Sequence, residues 1–353
     1  MKKMKMLVIY GVLLFLCVTA FIGHYVLNKN GGVSTTKETS TNESSKISTS
    51  SKPREHKLTV EEKVALSEQK PDPNPTVGVD RGTDYSKVTR KAIENAGGLK
   101  DIIKRDDTVL IKPNLGAWGI AGSSPDDTDY RMVQEIANIA KECGAKKVIV
   151  AEGSYSGNMF KDLGYDKIKG VELVDLNQCK KEDCYQLKPK NSITGEAFYI
   201  PKVYMDADVV ISAAKLKTYD IVGTSLSLKN VFGVPPAELY GSIGGKTILH
   251  GFGVENSIVD LNKIRKPDFA VIDGILGGKG PGPAGNDPVK SNIIFAGKDL
   301  VATDTEALTF MSFTVDEVKH VKLAAQQGLG ICDLNSIKVV GADLNSIKMK
   351  FKK

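Results

Sequence analysis

The sequence predicts an α/β fold: a mostly parallel or mixed central sheet with helices on both faces, preceded by one N-terminal transmembrane helix. From Thr76 onward, short β-branched segments alternate with segments of helical periodicity, and this alternation favours parallel strand pairing. An apolar run near the N-terminus has the length of a membrane span. The 353 residues suffice for an anchor, a linker and one α/β domain over residues 76–353.

The anchor is predicted from residues 6–27, which are almost wholly apolar and follow lysines at positions 2, 3 and 5. Roughly 20 such residues span a bilayer, and the basic flank should stay in the cytoplasm. We therefore expect residues 1–30 to form a cytoplasmic stub and a single-pass anchor in the cell membrane, with the C-terminal domain extracytoplasmic. Val18-Thr19-Ala20 also fits the cleavage site of a signal peptide, although the apolar run continues beyond it.

Residues 31–75 are predicted to form a disordered Ser/Thr/Lys-rich stalk and a lead-in. Up to about Pro53 the segment has too few large apolar side chains to bury a core. Lys57 to Ser67 has helical spacing and predicts a short helix, which ends before the prolines that begin at Pro71.

The elements of the domain follow from periodicity and from glycine and proline positions. Strands are predicted at 76–80, 108–112, 147–151, 171–175, 209–213, 269–273 and 293–296, and helices at 85–96, 129–143, 301–311 and 315–327. In open parallel sheets, ligands bind beyond the carboxyl ends of the strands. Polar residues that directly follow a strand are therefore the candidates for a functional site.

Composition excludes several classes of function. The net charge is +6, and part of the lysine excess lies at the two chain ends, which argues against a nucleic-acid-binding face. The cysteines beyond the anchor form no CxxC pair, and the histidines show no metal-ligand spacing, so we expect no iron–sulfur cluster. Cys179 and Cys184 fit either a small disulfide loop or buried thiols.

Lysines recur in three turns of the domain. Lys112 and Asn114 follow the strand at 108–112, where they either face an anion together or form an ordinary turn with Pro113. Lys215 and Lys217 alternate along an extended segment and should share a face.

Three more residues of these turns are predicted to bind the ligand. Thr218 follows Lys217, and the third turn carries Lys229 and Asn230. Clustered lysines repel one another unless an anionic ligand or nearby carboxylates neutralise them. We therefore favour a ligand pocket over a solvated lysine pair.

A glycine-rich loop and two carboxylates add further candidates. The loop 274–285 carries Lys279. Its many glycines leave backbone N–H groups exposed, which suits contact with a phosphate or carboxylate. A mobile surface loop explains the glycines equally well. Asp273 ends a strand just before this loop, and Asp304 lies in the predicted helix at 301–311. Either residue is a candidate for proton transfer or for binding a divalent cation, although Asp304 also suits a helix cap.

Six short motifs, in order along the domain, resemble the domain-of-unknown-function family DUF362. They are IKPN at 111–114, AKLKT at 214–218, LKNVFG at 228–233, DG at 273–274, GKGPGPAG at 278–285 and DLVATD at 299–304. The resemblance implies a largely uncharacterised protein. Many members carry a ferredoxin-like cluster module that this chain lacks, and Tyr219 stands where members tend to have a histidine.

Three hypotheses for function follow. In the first, the protein is an extracytoplasmic enzyme or enzyme-like protein whose lysines bind a small phosphate or carboxylate, with Asp273 or Asp304 as the catalytic residue. In the second, the same lysines form a non-catalytic binding site. In the third, they are salt-bridged internally in a structural surface protein. The resemblance adds a redox-associated partner of an iron–sulfur protein as a further alternative.

Overall fold

The computed structural model describes residues 52–351, except 117–120, 155, 242–245 and 348. The predicted anchor at 6–27 and most of the stalk lie outside these residues. Within the described part of the chain, no helix combines the length and the apolar character that crossing a membrane requires.

A mixed sheet forms the centre of the domain. Its strands, in chain order, are β1 (Thr76–Arg81), β2 (Thr108–Pro113), β3 (Lys147–Glu152), β4 (Glu172–Asp175), β7 (Val209–Tyr219), β8 (Gly223–Ser225), β9 (Phe269–Lys279), β10 (Asp287–Val289), β11 (Ile293–Gly297) and β12 (Lys338–Gly341). A separate antiparallel pair consists of β5 (Cys184–Leu187) and β6 (Phe198–Pro201). The strand order is β12-β1-β11-β9-β7-β2-β3-β4, with β8 paired to β7 and β10 to β9.

Five strands of this sheet run parallel, in the order β4-β3-β2-β7-β9. Strand β11 is antiparallel to both β9 and β1. The prediction of a mostly parallel or mixed sheet is therefore confirmed, and the carboxyl ends of β2, β3, β7 and β9 lie along one edge.

Helices cover both faces of the sheet. The α-helices are α1 (Val60–Ser67), α2 (Tyr85–Asn95), α3 (Tyr130–Glu142), α4 (Lys202–Asp206), α5 (Ser227–Asn230), α6 (Thr247–Gly251), α7 (Val254–Arg265), α8 (Leu300–Phe310) and α9 (Lys319–Gln326). Short 3-10 turns lie at Tyr165–Lys167, Leu176–Gln178, Lys181–Asp183, Val231–Gly233, Ala237–Leu239, Val315–Glu317 and Leu344–Ser346.

Successive side chains of a strand pack into two separate hydrophobic cores, one on each face of the sheet, because side chains alternate between the faces. On β2, Val109 and Ile111 pack with α2 and α3 in one core, whereas Leu110 belongs to the core that contains α7, α8 and α9. Since both faces are covered, the strand is apolar along its length rather than alternating.

Two predicted elements differ from the structure. The segment predicted as a single helix at 315–327 divides into a 3-10 turn and α9, because the backbone of Val318 has φ −111° and ψ 76°, outside the helical region. The glycine-rich loop begins as strand: β9 continues to Lys279 and pairs with β10. Glycine is needed there for close packing, since a Cβ at Gly278 would lie 2.5 Å from the Pro125 backbone oxygen.

The predicted lead-in helix is present as α1, and it packs against α7. Its Lys63 is buried and donates hydrogen bonds to the backbone oxygens of Met205 (2.9 Å) and Asp206 (3.0 Å). Arg54 donates to Asp107 at 2.8 Å. Arg54 and α1, which precede Thr76 in the chain, are therefore tied to the rest of the described domain.

Candidate functional site

A cavity of about 320 Å³ opens at the carboxyl edge of the parallel strands. Asn114 directly follows β2, Gly153 directly follows β3, and Lys217 lies near the end of β7. The described residues that line the cavity are Asn114, Leu115, Gly116, Gly153, Lys217, Tyr219, Ser225, Lys229, Asn230, Phe232, Gly233, Lys246, Thr247, His250 and Pro283. This is the edge where open parallel sheets bind their ligands, and the volume is within the range of small-molecule sites.

Three lysines line this cavity, whereas no Asp or Glu does so among the described residues. Lys217 donates hydrogen bonds from Nζ to the backbone oxygens of Asp126 (2.6 Å) and Pro283 (2.9 Å). Lys246 donates from Nζ to the Gly233 oxygen at 2.8 Å. Since an ammonium group has three donors, the contacts to described residues leave Lys217 one donor and Lys246 two donors for a ligand.

Lys229 is held between aromatic rings. Its Nζ lies 4.5 Å from the ring centroid of Phe232 and 5.1 Å from that of Tyr219. Within the described part of the chain, this Nζ has no carboxylate at salt-bridge distance and no hydrogen-bond acceptor. The rings give some cation–π stabilisation, but they replace water that would solvate the charge fully.

Burial lowers the pKa of each cavity lysine, because water no longer solvates the ammonium form. The pKa of Lys229 falls to about 7, with the nearby charges of Lys217 and Lys112 as further causes. The pKa of Lys246 also falls to about 7, although Glu152 opposes this. The pKa of Lys217 is lowered mainly by burial as well. The cavity is thus an electropositive site whose charge is sensitive to pH near neutrality.

A buried ion pair supports the cavity from below. Lys112 donates a short hydrogen bond to Glu152, and it also donates to Asn230 Oδ1 at 3.2 Å. The Asn230 amide nitrogen donates in turn to the Lys112 backbone oxygen (2.9 Å) and to Ser212 Oγ (3.1 Å). Burial lowers the pKa of Lys112 and raises that of Glu152, so the charged form of each depends on its partner.

Lys215 and Asp273, two of the predicted site residues, form an ion pair outside the cavity wall. Lys215 Nζ and Asp273 Oδ2 are 2.9 Å apart, and both side chains are almost fully buried. Asp273 also accepts a hydrogen bond from the backbone N–H of Asp129 at 2.9 Å. The pair joins β7, β9 and the start of α3.

The predicted residue Asp304 is also not among the residues that line the cavity. It is fully buried in α8 and accepts hydrogen bonds from Ser227 N (2.8 Å), Ser227 Oγ (2.5 Å) and Leu228 N (2.9 Å). Burial raises the pKa of Asp304 to about 7. The carboxylate therefore satisfies the first N–H groups of α5, the helix that carries Lys229. The alternative role suggested by the sequence for Asp304, a helix cap, is therefore confirmed: Asp304 lies within α8 and caps the neighbouring helix α5.

Thr218 and Lys279 lie at a separate depression of about 280 Å³. Thr218 Oγ1 donates to the Gly280 oxygen and accepts from the Gly280 N–H, both at 2.7 Å. This hydroxyl thus joins β7 to the residue that follows β9. Of the predicted ligand-binding residues, the structure brings Asn114, Lys217, Lys229 and Asn230 to the cavity, with Lys112 just beneath it.

The described His, Cys, Asp and Glu side chains bear on a possible metal site and on the predicted disulfide. Across the described ranges, no group of three or more His, Cys, Asp or Glu side chains has the arrangement that a metal ion needs. Among the described cysteines, Cys143, Cys179, Cys184 and Cys332 form no disulfide bond.

The sequence analysis missed Glu152, Lys246 and His250. Glu152 ends β3 directly before Gly153, so its position after a buried strand is the same signal that identified Lys112. Lys246 follows two glycines and begins a short helix that also presents His250 to the cavity. No periodicity marks that segment, because α6 is only five residues long.

Comparison with known proteins identifies the family. The model of "Domain of unknown function (DUF362)" matches residues 109–309, which is more than half of the chain and spans β2 to α8. The chain belongs to the DUF362 family. The family's matched region contains every residue that lines the cavity, so the electropositive site is part of the DUF362 domain itself.

One curated relative of this DUF362 protein is a thylakoid-associated protein of Synechocystis, which is 28% identical over 251 residues. The match covers 69% of this chain and 74% of the relative. Two solved structures are weakly similar to this chain: the lactate racemase apoprotein of Thermoanaerobacterium thermosaccharolyticum (13% identity, TM-score 0.45) and a protein of Thermotoga maritima (13% identity, TM-score 0.39). The match covers 71% of this chain and 59% of the racemase, and 70% and 60% for the second structure.

Proposed function

We propose that the protein is a membrane-anchored, extracytoplasmic binding protein or enzyme whose cavity takes a small anion, a phosphate or a carboxylate. The observation that carries the proposal is the set of lysines on the cavity wall, Lys217, Lys229 and Lys246, with no carboxylate among the described residues of that wall. Positive charges gathered in a partly desolvated space repel one another, and an anion relieves this repulsion.

The donor geometry also favours an anion. Backbone oxygens hold the Nζ groups of both lysines: those of Asp126 and Pro283 hold Lys217, and that of Gly233 holds Lys246. Counting the described contacts, each Nζ group keeps at least one N–H for a further acceptor. The carboxylate of Glu152 is engaged by Lys112 beneath the wall. It therefore neutralises Lys112 first, which leaves the cavity lysines with an excess of positive charge.

A titration by calorimetry tests this proposal. The full chain in detergent would be titrated with sulfate, phosphate and pyruvate, and the same titrations repeated with Lys246→Met. We expect binding to the wild type and at least roughly tenfold weaker binding to the variant, since one charge-assisted contact is lost. Lys91→Met is the matched control, because Lys91 is 58% exposed and lies on α2, away from the cavity. Equal affinities in all three proteins would contradict the proposal.

The proposed anchor rests on the apolar run at 6–27 and its lysine flank. The thylakoid association of the Synechocystis relative is consistent with a membrane location. Extraction of cell membranes with alkaline carbonate tests it: an anchored chain stays in the pellet, whereas a cleaved secreted chain is released. Protease added to intact spheroplasts should degrade an extracytoplasmic domain and spare a cytoplasmic one.

A further inference from the structure

Lys229 differs from the other two lysines of the cavity wall. Lys217 and Lys246 use their Nζ hydrogens on backbone oxygens. The Nζ of Lys229 faces only aromatic rings among the described groups, at 4.5 Å from Phe232 and 5.1 Å from Tyr219. Among the described groups, no acceptor fixes its hydrogens, so its lone pair becomes available whenever the proton leaves.

The charged and titratable groups around Lys229 favour loss of that proton. Lys217 and Lys112 act on it from β7 and β2 as like charges, and Glu152 on β3 opposes them. His320, fully buried on α9, has a pKa lowered to about 3 by burial and by Lys229, so it is neutral. With burial as the main cause, the pKa of Lys229 is about 7, and a substantial fraction is free amine at neutral pH.

Lysines that act as nucleophiles on carbonyl substrates are activated in this way: the amine is desolvated or lies next to another cationic group. The charges hold the acid group of the substrate, and the desolvated amine attacks its carbonyl carbon. The small volume, about 320 Å³, suits a short molecule.

We propose that Lys229 forms an imine with a small oxo acid, whose carboxylate is held by Lys217 and Lys246. This inference rests on the proposed function, because it assigns the anion of the same cavity to the class of oxo acids. The Nζ lone pair attacks the carbonyl carbon, and a C–N bond forms while the carbonyl oxygen takes up a proton. The resulting carbinolamine loses that oxygen as water, the amine gives up its two hydrogens, and no oxidant or reductant is required.

Reductive trapping tests the inference. The full chain in detergent would be incubated with pyruvate and sodium borohydride, digested, and mapped by mass spectrometry. Hydride reduces an imine to a stable secondary amine, which adds the mass of pyruvic acid less one oxygen atom. We expect labelling at Lys229 more than about tenfold above Lys91, since an exposed lysine holds little free amine at neutral pH. Excess sulfate should suppress the labelling at Lys229 and leave that at Lys91 unchanged.

Lys229→Arg is the matched variant. It keeps the positive charge in the cavity but cannot form an imine, so we expect it to unfold as cooperatively as the wild type in denaturant and to lose the label. Labelling spread evenly over exposed lysines, label on Lys246 instead of Lys229, or label at Lys229 that sulfate does not suppress would overturn the inference.

The two proposals fail in different ways. If calorimetry detects anions in the cavity and borohydride traps nothing at Lys229, the imine is excluded and the anion site stands. If no anion binds to the wild type and Lys246→Met behaves like it, the proposed function fails whatever the labelling shows.

Discussion

Lys215 and Lys217 lie two residues apart on β7, yet Lys215 is paired with the carboxylate of Asp273, whereas Lys217 lines the cavity. The pairing of β7 with β9 shifts register between these two lysines. The two charges remain close enough for Lys215 to lower the pKa of Lys217. One lysine of the motif thus stabilises the sheet, and the other is available to a ligand.

The first prediction concerns this buried ion pair. Replacing Lys215 by Met leaves the Asp273 carboxylate without its partner and should lower the free energy of unfolding by about 3–5 kcal/mol. Asp273→Asn alone should also destabilise, and the double variant should cost less than the sum of the single changes. Denaturant unfolding of all four proteins measures this coupling. Strict additivity would show that the pair does not interact as the structure indicates.

The second prediction separates capping from catalysis at Asp304. The two carboxylate oxygens of Asp304 accept three hydrogen bonds from Ser227 and Leu228. Asp304→Asn replaces one of these oxygens with an NH2 group, which cannot accept a hydrogen bond. We expect a loss of about 1–3 kcal/mol in stability, read from thermal or denaturant unfolding. Where the variant is folded, its sulfate affinity should stay within a few-fold of wild type. A stable variant that has lost all ligand response would instead indicate a direct role in the site.

The third prediction is the pH dependence of anion affinity. Sulfate keeps its charge across the neutral range, whereas Lys229 and Lys246 lose protons as the pH rises through about 7. Affinity for sulfate should therefore be highest below neutrality and fall by roughly tenfold or more toward about pH 9. Titrations in buffers of different ionisation enthalpy should also show proton uptake near pH 7. Affinity that is independent of pH would contradict this account.

The fourth prediction is the effect of Lys229 on stability. Its pKa is about 7 in the folded state and about 10.4 in the unfolded chain. Between these values the unfolded state binds more protons, so the free energy of unfolding rises with pH. Lys229→Met removes this contribution. It should raise stability below about pH 7, by something on the order of 2 kcal/mol after solvent screening, and have less effect near pH 10, as measured by denaturant unfolding.

The fifth prediction concerns Gly233, which lies above the Lys112–Glu152 pair. A Cβ at Gly233 would lie 2.7 Å from Glu152 Oε1 and 2.8 Å from Lys112 Nζ. Gly233→Ala should cost about 1–3 kcal/mol in stability and weaken sulfate binding, because the pair must move. Gly251→Ala is the control, since a Cβ there meets no atom within 4 Å and should be neutral or stabilising.

Much of the fold could be predicted because its strands are covered on both faces. Segments such as residues 109–111 of β2 are therefore continuous apolar runs, with a proline or glycine soon after them. Helix α7 was missed, since its buried face includes Ser257, Asp260 and Asn262, and these polar residues hide the helical period. Asp260, for example, is buried because it accepts hydrogen bonds from the backbone N–H groups of Ile193 and Thr194.

The site was predictable where a polar residue follows a strand, and at the third lysine-bearing turn, which carries Lys229 and Asn230. That rule identified Asn114 and Lys217, and it applies equally to Glu152. It could not distinguish Lys217, which lines the cavity, from Lys215, which is neutralised by Asp273, because the partner comes from a strand that is distant in sequence. Lys246 directly precedes the short helix α6, which has no periodic signal. Its position in the cavity depends on tertiary packing alone.

Anomalous diffraction tests the anion site most directly, from crystals of the protein grown with selenate, a dianion whose selenium atom is located from its own anomalous signal. We expect a selenium peak in the cavity, within hydrogen-bonding reach of the Nζ atoms of Lys217 and Lys246, and the loss of that peak in crystals of Lys246→Met. Selenium peaks confined to exposed lysines, with none in the cavity at saturating selenate, would contradict it.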